Sequence, residues 1–166
     1  MLTNDQKKLP AIDIKDIWGY ANNIIRSSRQ LVNEKLKSLQ LSSSEGNILL
    51  HLFTQQNEVR QEDIVEELDI SKPAVSRALK SLEAKGYVER VKDSNDRRAS
   101  RILLTGKALE IRPEVELVYN DVYSIAAQGV SVEEIAFFIN LFSRVSDNFT
   151  RARSAVKNRE DNNNAK

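Results

Sequence analysis

The chain has 166 residues and a formal net charge of only +1, which suits one domain with a sizeable core or a small domain with an oligomerisation extension. It has no cysteine, which excludes disulfides, thiolate zinc sites and cysteine-based redox switches. No apolar run could span a bilayer and residues 1–10 are polar, so we expect a cytoplasmic protein without a membrane partner.

The first predicted element is a long amphipathic helix within residues 12–39. Its apolar residues recur at helical spacing: Ile14, Ile17, Trp18, Ala21, Ile24, Ile25, Leu31, Val32 and Leu36. A second helix is predicted to begin at Ser42, because Ser42 and Glu45 have the spacing of a capping box.

A helix-turn-helix pattern follows. Residues 61–68 predict a short helix, and a brief turn leads to Ser71 as the N-cap of a second helix. Pro73 falls in the first turn of that helix, where a missing amide hydrogen costs nothing.

The second helix has two different faces. Val75, Ala78, Leu79 and Leu82 recur at i, i+3, i+4 and i+7, which predicts a stripe facing a core. The opposite face carries Pro73, Ser76, Arg77 and Lys80. Such a face suits the major groove of DNA, although a solvated amphipathic helix would show the same pattern.

A β-hairpin is predicted after this helix. Gly86 marks the helix end, and residues 87–92 and 100–105 form two short strands around a turn-forming cluster at 93–96. Arg97 and Arg98 then lie at the tip of a narrow arm, which suits the negative potential of a minor groove. Residues 71–101 carry nine bases against four acids, an excess of 9 − 4 = +5 where a duplex would lie.

The C-terminal part is predicted to form two more helices. The first starts at Thr105 and continues through Ile125, and Pro113 is expected to interrupt its hydrogen bonding and kink it. Ser131 and Glu134 form a capping box for the second, which extends to Phe149, and residues 151–166 are predicted to be frayed or disordered. The apolar stripes of the first and last helices need partners, which favours an intertwined homodimer over packing within one chain.

Three segments carry a resemblance to the MarR/SlyA family of transcription regulators: ISKPAVSR at 70–77, LEAKGYVER at 82–90, and DRRA with ILLTGK at 96–99 and 102–107. The resemblance implies that Arg77 reaches the major groove and Arg98 the minor groove, with Asp96 bracing Arg98. Arg60 departs from the family pattern, which usually has Thr or Ser there. The predicted DNA-binding residues are Ser71, Lys72, Pro73, Ser76, Arg77, Lys80, Arg97 and Arg98.

Family members are often released from DNA by small anionic or aromatic ligands. The candidate effector-pocket residues are Trp18, Tyr20, Arg26, His51, Phe53 and Tyr119, although aromatic residues at helical spacing more often belong to a core. His51 is the only histidine and has no ligand-spaced partners, so we expect no metal, no cofactor and no enzyme activity.

These observations predict a mainly α (α+β) fold, a winged helix-turn-helix with N- and C-terminal helices forming a homodimerisation domain. Residues 1–40 form the N-terminal arm and dimerisation helix, 41–105 the DNA-binding domain, 106–150 the C-terminal dimerisation helices and 151–166 the tail. The predicted function is a repressor that binds a near-palindromic operator on double-stranded DNA. The alternative is a winged helix used for protein contact or DNA architecture, without operator specificity.

Overall fold

The computed structural model describes residues 14–55, 58–92 and 100–164. The chain divides after Val122 into two compact units. The described elements are α1 (Ile14–Lys35), a 3-10 helix (Leu36–Leu39), α2 (Ser43–Thr54), β1 (Val59–Arg60), α3 (Gln61–Glu67), α4 (Lys72–Ala84), β2 (Val88–Lys92), β3 (Ser100–Leu104), α5 (Gly106–Ala126) and α6 (Val132–Asn164).

The junction between the first two helices follows the predicted capping chemistry. The last turn before α2 tightens into the 3-10 helix, and Gln40 ends it with a left-handed backbone, φ 54°. The Ser42 hydroxyl accepts from the Glu45 amide at 3.3 Å, and the Glu45 carboxylate accepts from the Ser42 amide at 2.7 Å. The capping box predicted from the sequence is therefore confirmed.

The helix-turn-helix is formed by α3 and α4. Leu68 caps α3, and Asp69 turns the chain with φ 48°, a conformation that Asp tolerates better than most residues. The predicted inner stripe of α4 is confirmed, because its four apolar side chains are all buried: Val75, Ala78, Leu79 and Leu82. These side chains join the core formed with α2, α3, the sheet and α5.

The sheet has three antiparallel strands in the order β1-β3-β2, where the sequence predicted only a two-stranded hairpin. The extra strand has two residues, with Val59 opposite Ile102 and Arg60 opposite Arg101. It escaped prediction because two residues cannot show an alternating pattern. Val59 and Ile102 are both buried, so β1 closes one edge of the wing base over the core.

α5 continues to Ala126 with Pro113 inside it, in line with the long helix that the sequence predicts there. α6 continues to Asn164, so residues 151–164 are helical where the sequence predicts a frayed or disordered tail. The sequence after Gly129 contains no glycine or proline that would stop a helix. The Ser131–Glu134 capping box that starts α6 is confirmed, with a 2.8 Å bond from the Ser131 amide to the Glu134 carboxylate.

Candidate nucleic-acid interface

The face of α4 opposite its buried stripe is polar, cationic and open to solvent. Arg77 and Lys80 are exposed, Ser76 is half-buried, and Ser71, Lys72 and Pro73 are exposed at the start of the helix. At 100° per residue Pro73, Ser76, Arg77 and Lys80 cover an arc of about 100° opposite the buried stripe, and Ser71 and Lys72 lie at the start of the helix. The structure therefore brings six of the eight predicted DNA-binding residues together on one surface.

The start of α4 is held by backbone bonds. The Ser71 carbonyl accepts from the amides of Ala74 at 2.9 Å and Val75 at 3.1 Å, while the Ser71 hydroxyl makes no capping hydrogen bond. Lys72 lies 3.3 Å from Glu62 on α3, an exposed ion pair between the two helices of the motif. The Ala74 and Val75 amides are therefore bonded within the helix, Pro73 has no amide hydrogen, and Ser71 is exposed at the helix start.

The base of the wing is joined to both helices through Arg90 on β2. Its Nε lies 3.3 Å from Glu83 on α4, and its NH1 donates to the Gln61 side chain on α3 at 3.4 Å. Sequence reasoning did not single out Arg90. The sequence does contain a signal for it, a cation on the strand that follows Gly86. Alternate side chains of such a strand point back toward the preceding helix because the strand is pleated.

The outer part of the wing is described only where the strands end. Arg101 on β3 donates to the Glu58 carboxylate at 2.7 Å and shares the wing base with Arg60 on the neighbouring strand. Asp96, Arg97 and Arg98 lie outside the described residues. The minor-groove contacts of Arg97 and Arg98 and the bracing of Arg98 by Asp96 remain predictions.

Three candidate effector residues make contacts on α2 and α5. His51 is nearly buried, with its Nε2 3.6 Å from the Glu67 carboxylate on α3. Phe53 is buried, and the guanidinium of Arg112 lies 5.5 Å from its ring centre. Each of these two aromatic side chains therefore packs against a charged group of another helix.

Tyr119, the third, is also buried, and its hydroxyl donates to the Asn47 side chain at 2.5 Å. The other three candidates lie along α1. Trp18 and Tyr20 are exposed, and Arg26 donates to Asn23 at 3.2 Å. The described structure thus distributes the six candidates over separate contacts.

Within the described residues, no group of three or more His, Asp or Glu side chains could hold a metal ion. No helix of that part combines the length and hydropathy needed to cross a membrane.

A helix-turn-helix with a buried apolar stripe, a cationic outer face and an attached antiparallel wing defines a winged-helix protein. Residues 39–99 match the model of the MarR family. Over these residues the chain is similar to that family.

Solved structures share the fold over most of the chain. A MarR transcriptional regulator from Methanosarcina mazei Go1 is 22% identical, with a TM-score of 0.75 over 82% of this chain and 98% of that chain. The transcriptional regulator SlyA is 25% identical, with a TM-score of 0.75 over 82% and 95%. A mutant MarR from E. coli complexed with operator DNA is 22% identical, with a TM-score of 0.72 over 80% and 94%.

Proposed function

We propose that this protein is a homodimeric, sequence-specific repressor that inserts α4 into the major groove of a near-palindromic operator. The observation that carries the proposal is the two-faced α4, whose buried stripe anchors it while Arg77 and Lys80 remain exposed. Arginine reads guanine edges through paired hydrogen bonds, and lysine contacts phosphates. A dimer bound over a promoter would exclude the polymerase from it.

The dimer is supported by apolar surface on the long helices. Ile17, Ile24 and Ile25 on α1 are exposed, and α6 exposes Phe138, Phe142, Val145 and Phe149 along one face. Apolar surface of this extent marks an interaction site on a water-soluble protein. We propose that residues 1–40 and 106–150 form the dimerisation part, so that two copies of α4 face half-sites about 34 to 36 Å apart.

Selection of bound sequences from random duplexes tests operator specificity. We expect a palindromic consensus whose affinity falls steeply with salt, because cations contact phosphates. Binding without a consensus would instead support an architectural or protein-contact module. Arg29→Ala on α1 is the matched control for Arg77→Ala, since both remove one exposed arginine.

Light scattering with Phe142→Asp tests the dimer. A charge in the apolar face of α6 should yield monomers and abolish tight operator binding. Asn140→Asp adds a charge to the opposite face of the same helix and should leave the dimer intact. A parent protein that is monomeric at working concentration would refute this part of the proposal.

We also propose release from DNA by a small aromatic or anionic ligand, with these candidate pocket residues: Trp18, Tyr20, Arg26, His51, Phe53 and Tyr119. The support is that Trp18 and Tyr20 present exposed aromatic rings on α1. Titration with phenolic acids should shift both thermal unfolding and DNA release. A ligand series that moves neither signal would refute effector control.

A further inference from the structure

One acidic side chain is buried in the core of the winged helix-turn-helix, at the start of α2. Glu45, in the first turn of α2, is 4% exposed, and it is the only charged residue in the core of the described chain. A carboxylate in such surroundings must be compensated by hydrogen bonds or a counter-charge. The partners of Glu45 therefore indicate what this residue does.

The two carboxylate oxygens of Glu45 have different partners. Oε2 accepts from the amide and hydroxyl of Ser42, which completes the capping box. Oε1 accepts from the ammonium of Lys85 at 2.5 Å, and the same ammonium donates to the Gln40 carbonyl at 2.8 Å. Lys85 is the C-cap of α4, so the start of α2 is bonded directly to the end of α4.

A second set of bonds reaches the same helix end from α5. Lys107 donates to the Lys85 carbonyl at 2.7 Å, and the Thr105 hydroxyl donates to the Gly86 carbonyl at 2.7 Å. α2 is in turn bonded to α1, because the Ser43 amide donates to Asn33 at 2.6 Å. The C-terminal end of α4 is thus held by polar contacts that continue into α1 and α5.

We propose that Glu45 is a positioning residue for DNA recognition, which fixes the orientation of α4 through Lys85. This inference rests on the proposed entry of α4 into the major groove. Buried ion pairs are often replaced by apolar residues without loss of stability, but their hydrogen bonds are directional and select one geometry. Arg77 lies about 12 Å along the helix from Lys85, so a tilt of roughly 5° moves it by about 1 Å. That displacement is enough to weaken paired hydrogen bonds to a base.

The test is the double variant Glu45→Gln with Lys85→Met. Glutamine keeps an acceptor for the capping box, methionine fills the space of the lysine stem, and the net charge stays +1. We expect the dissociation constant for the selected operator to rise roughly tenfold. Binding to a scrambled duplex, the dependence of binding on salt and the melting temperature should stay close to those of the parent.

The matched control is Glu34→Gln with Lys37→Met, which makes the same two substitutions in an exposed ion pair of 2.6 Å. Operator preference should not change in this variant. A Glu45/Lys85 double variant that keeps full operator preference would overturn the proposal. An equal loss on operator and scrambled duplexes, with a shallower salt dependence, would show instead that Lys85 contacts phosphate and would also overturn it.

Hydrogen exchange without DNA separates this inference from the proposed function. In Glu45→Gln alone, the amides of Lys85, Gly86 and Tyr87 should exchange at least about tenfold faster, because the end of α4 loses a contact. Unchanged exchange would overturn the positioning role whether or not the protein binds DNA. If the parent protein selected no operator, the proposed function would be refuted, and so would the role of Glu45 in DNA recognition. Hydrogen exchange would still decide whether Glu45 holds the end of α4 in place.

Discussion

Gly46 on α2 packs closely against Leu36 and Tyr119, and its replacement by alanine gives a sharp test of that packing. A Cβ at this position would lie 2.6 Å from Cδ1 of Leu36 and 2.8 Å from the hydroxyl oxygen of Tyr119. Leu36 is fully buried, and the Tyr119 hydroxyl is bonded to Asn47, so neither atom moves away freely.

Two opposing terms set the magnitude for Gly46→Ala. Alanine in a helix interior gains about 0.5 to 1 kcal/mol over glycine. Forcing a methyl group into a packed core costs about 1 to 3 kcal/mol. The net effect is a loss of about 1 kcal/mol of unfolding free energy, equivalent to a fall of about 2 to 4 °C in melting temperature for a chain of this size.

Thermal unfolding followed by circular dichroism, at one fixed protein concentration, measures this effect. Gly19→Ala is the matched control. Gly19 is in α1 on the face opposite Ile17 and Ile24, and its Cβ would meet no heavy atom within 4 Å. The control should raise the melting temperature, and Gly46→Ala should lower it. If both variants were stabilised equally, the close packing of Leu36 and Tyr119 around α2 would be refuted.

Three further outcomes are expected. Arg77→Ala should weaken operator binding by about 1 to 3 kcal/mol and relax the preference at one base pair per half-site, whereas the Arg29→Ala control should not. Arg98→Ala should weaken binding with less effect on base choice, as competition between operator and altered-operator duplexes would reveal. The third concerns pH: burial raises the pKa of Glu45, but bonds from Lys85 and Ser42 outweigh it and hold that pKa below its usual 4.5. A carboxyl group with a lower pKa in the folded state than in the unfolded state stabilises the fold at pH values above its unfolded-state pKa. That contribution is lost as the pH falls through the folded-state pKa. The difference in unfolding free energy between the parent and Glu45→Gln should therefore be constant above about pH 4.5 and shrink in more acidic solution.

Features that depend on neighbours within four residues could be predicted from the sequence. Ser42 and Ser131 start their helices as their spacing indicated, because both partners of a capping box lie in the same turn. Gly86 ends α4 with φ 75°, a conformation that glycine adopts without strain. The two faces of α4 followed from helical periodicity for the same reason, since the repeat lies within the element itself.

Features that depend on distant partners could not be predicted. β1 exists because Val59 pairs with Ile102, and nothing in two residues indicates that pairing. The contacts of the candidate effector residues show the same limit. His51 lies beside Glu67 and Tyr119 is bonded to Asn47, two contacts that helical spacing does not encode.

Glu45 shows the limit of an interpretation based on sequence neighbours alone. The capping-box spacing predicts a partner for one carboxylate oxygen and none for the other. The residues that follow nevertheless carry a signal, because Gly46, Ile48 and Leu49 make this end of α2 face the core, so that its N3 acid must be buried as well. A buried acid requires a cation, and the core-facing end of α4 supplies Lys85 40 residues later. A buried acid in the capping box of a helix that packs against the recognition helix is therefore a candidate link between the two helices.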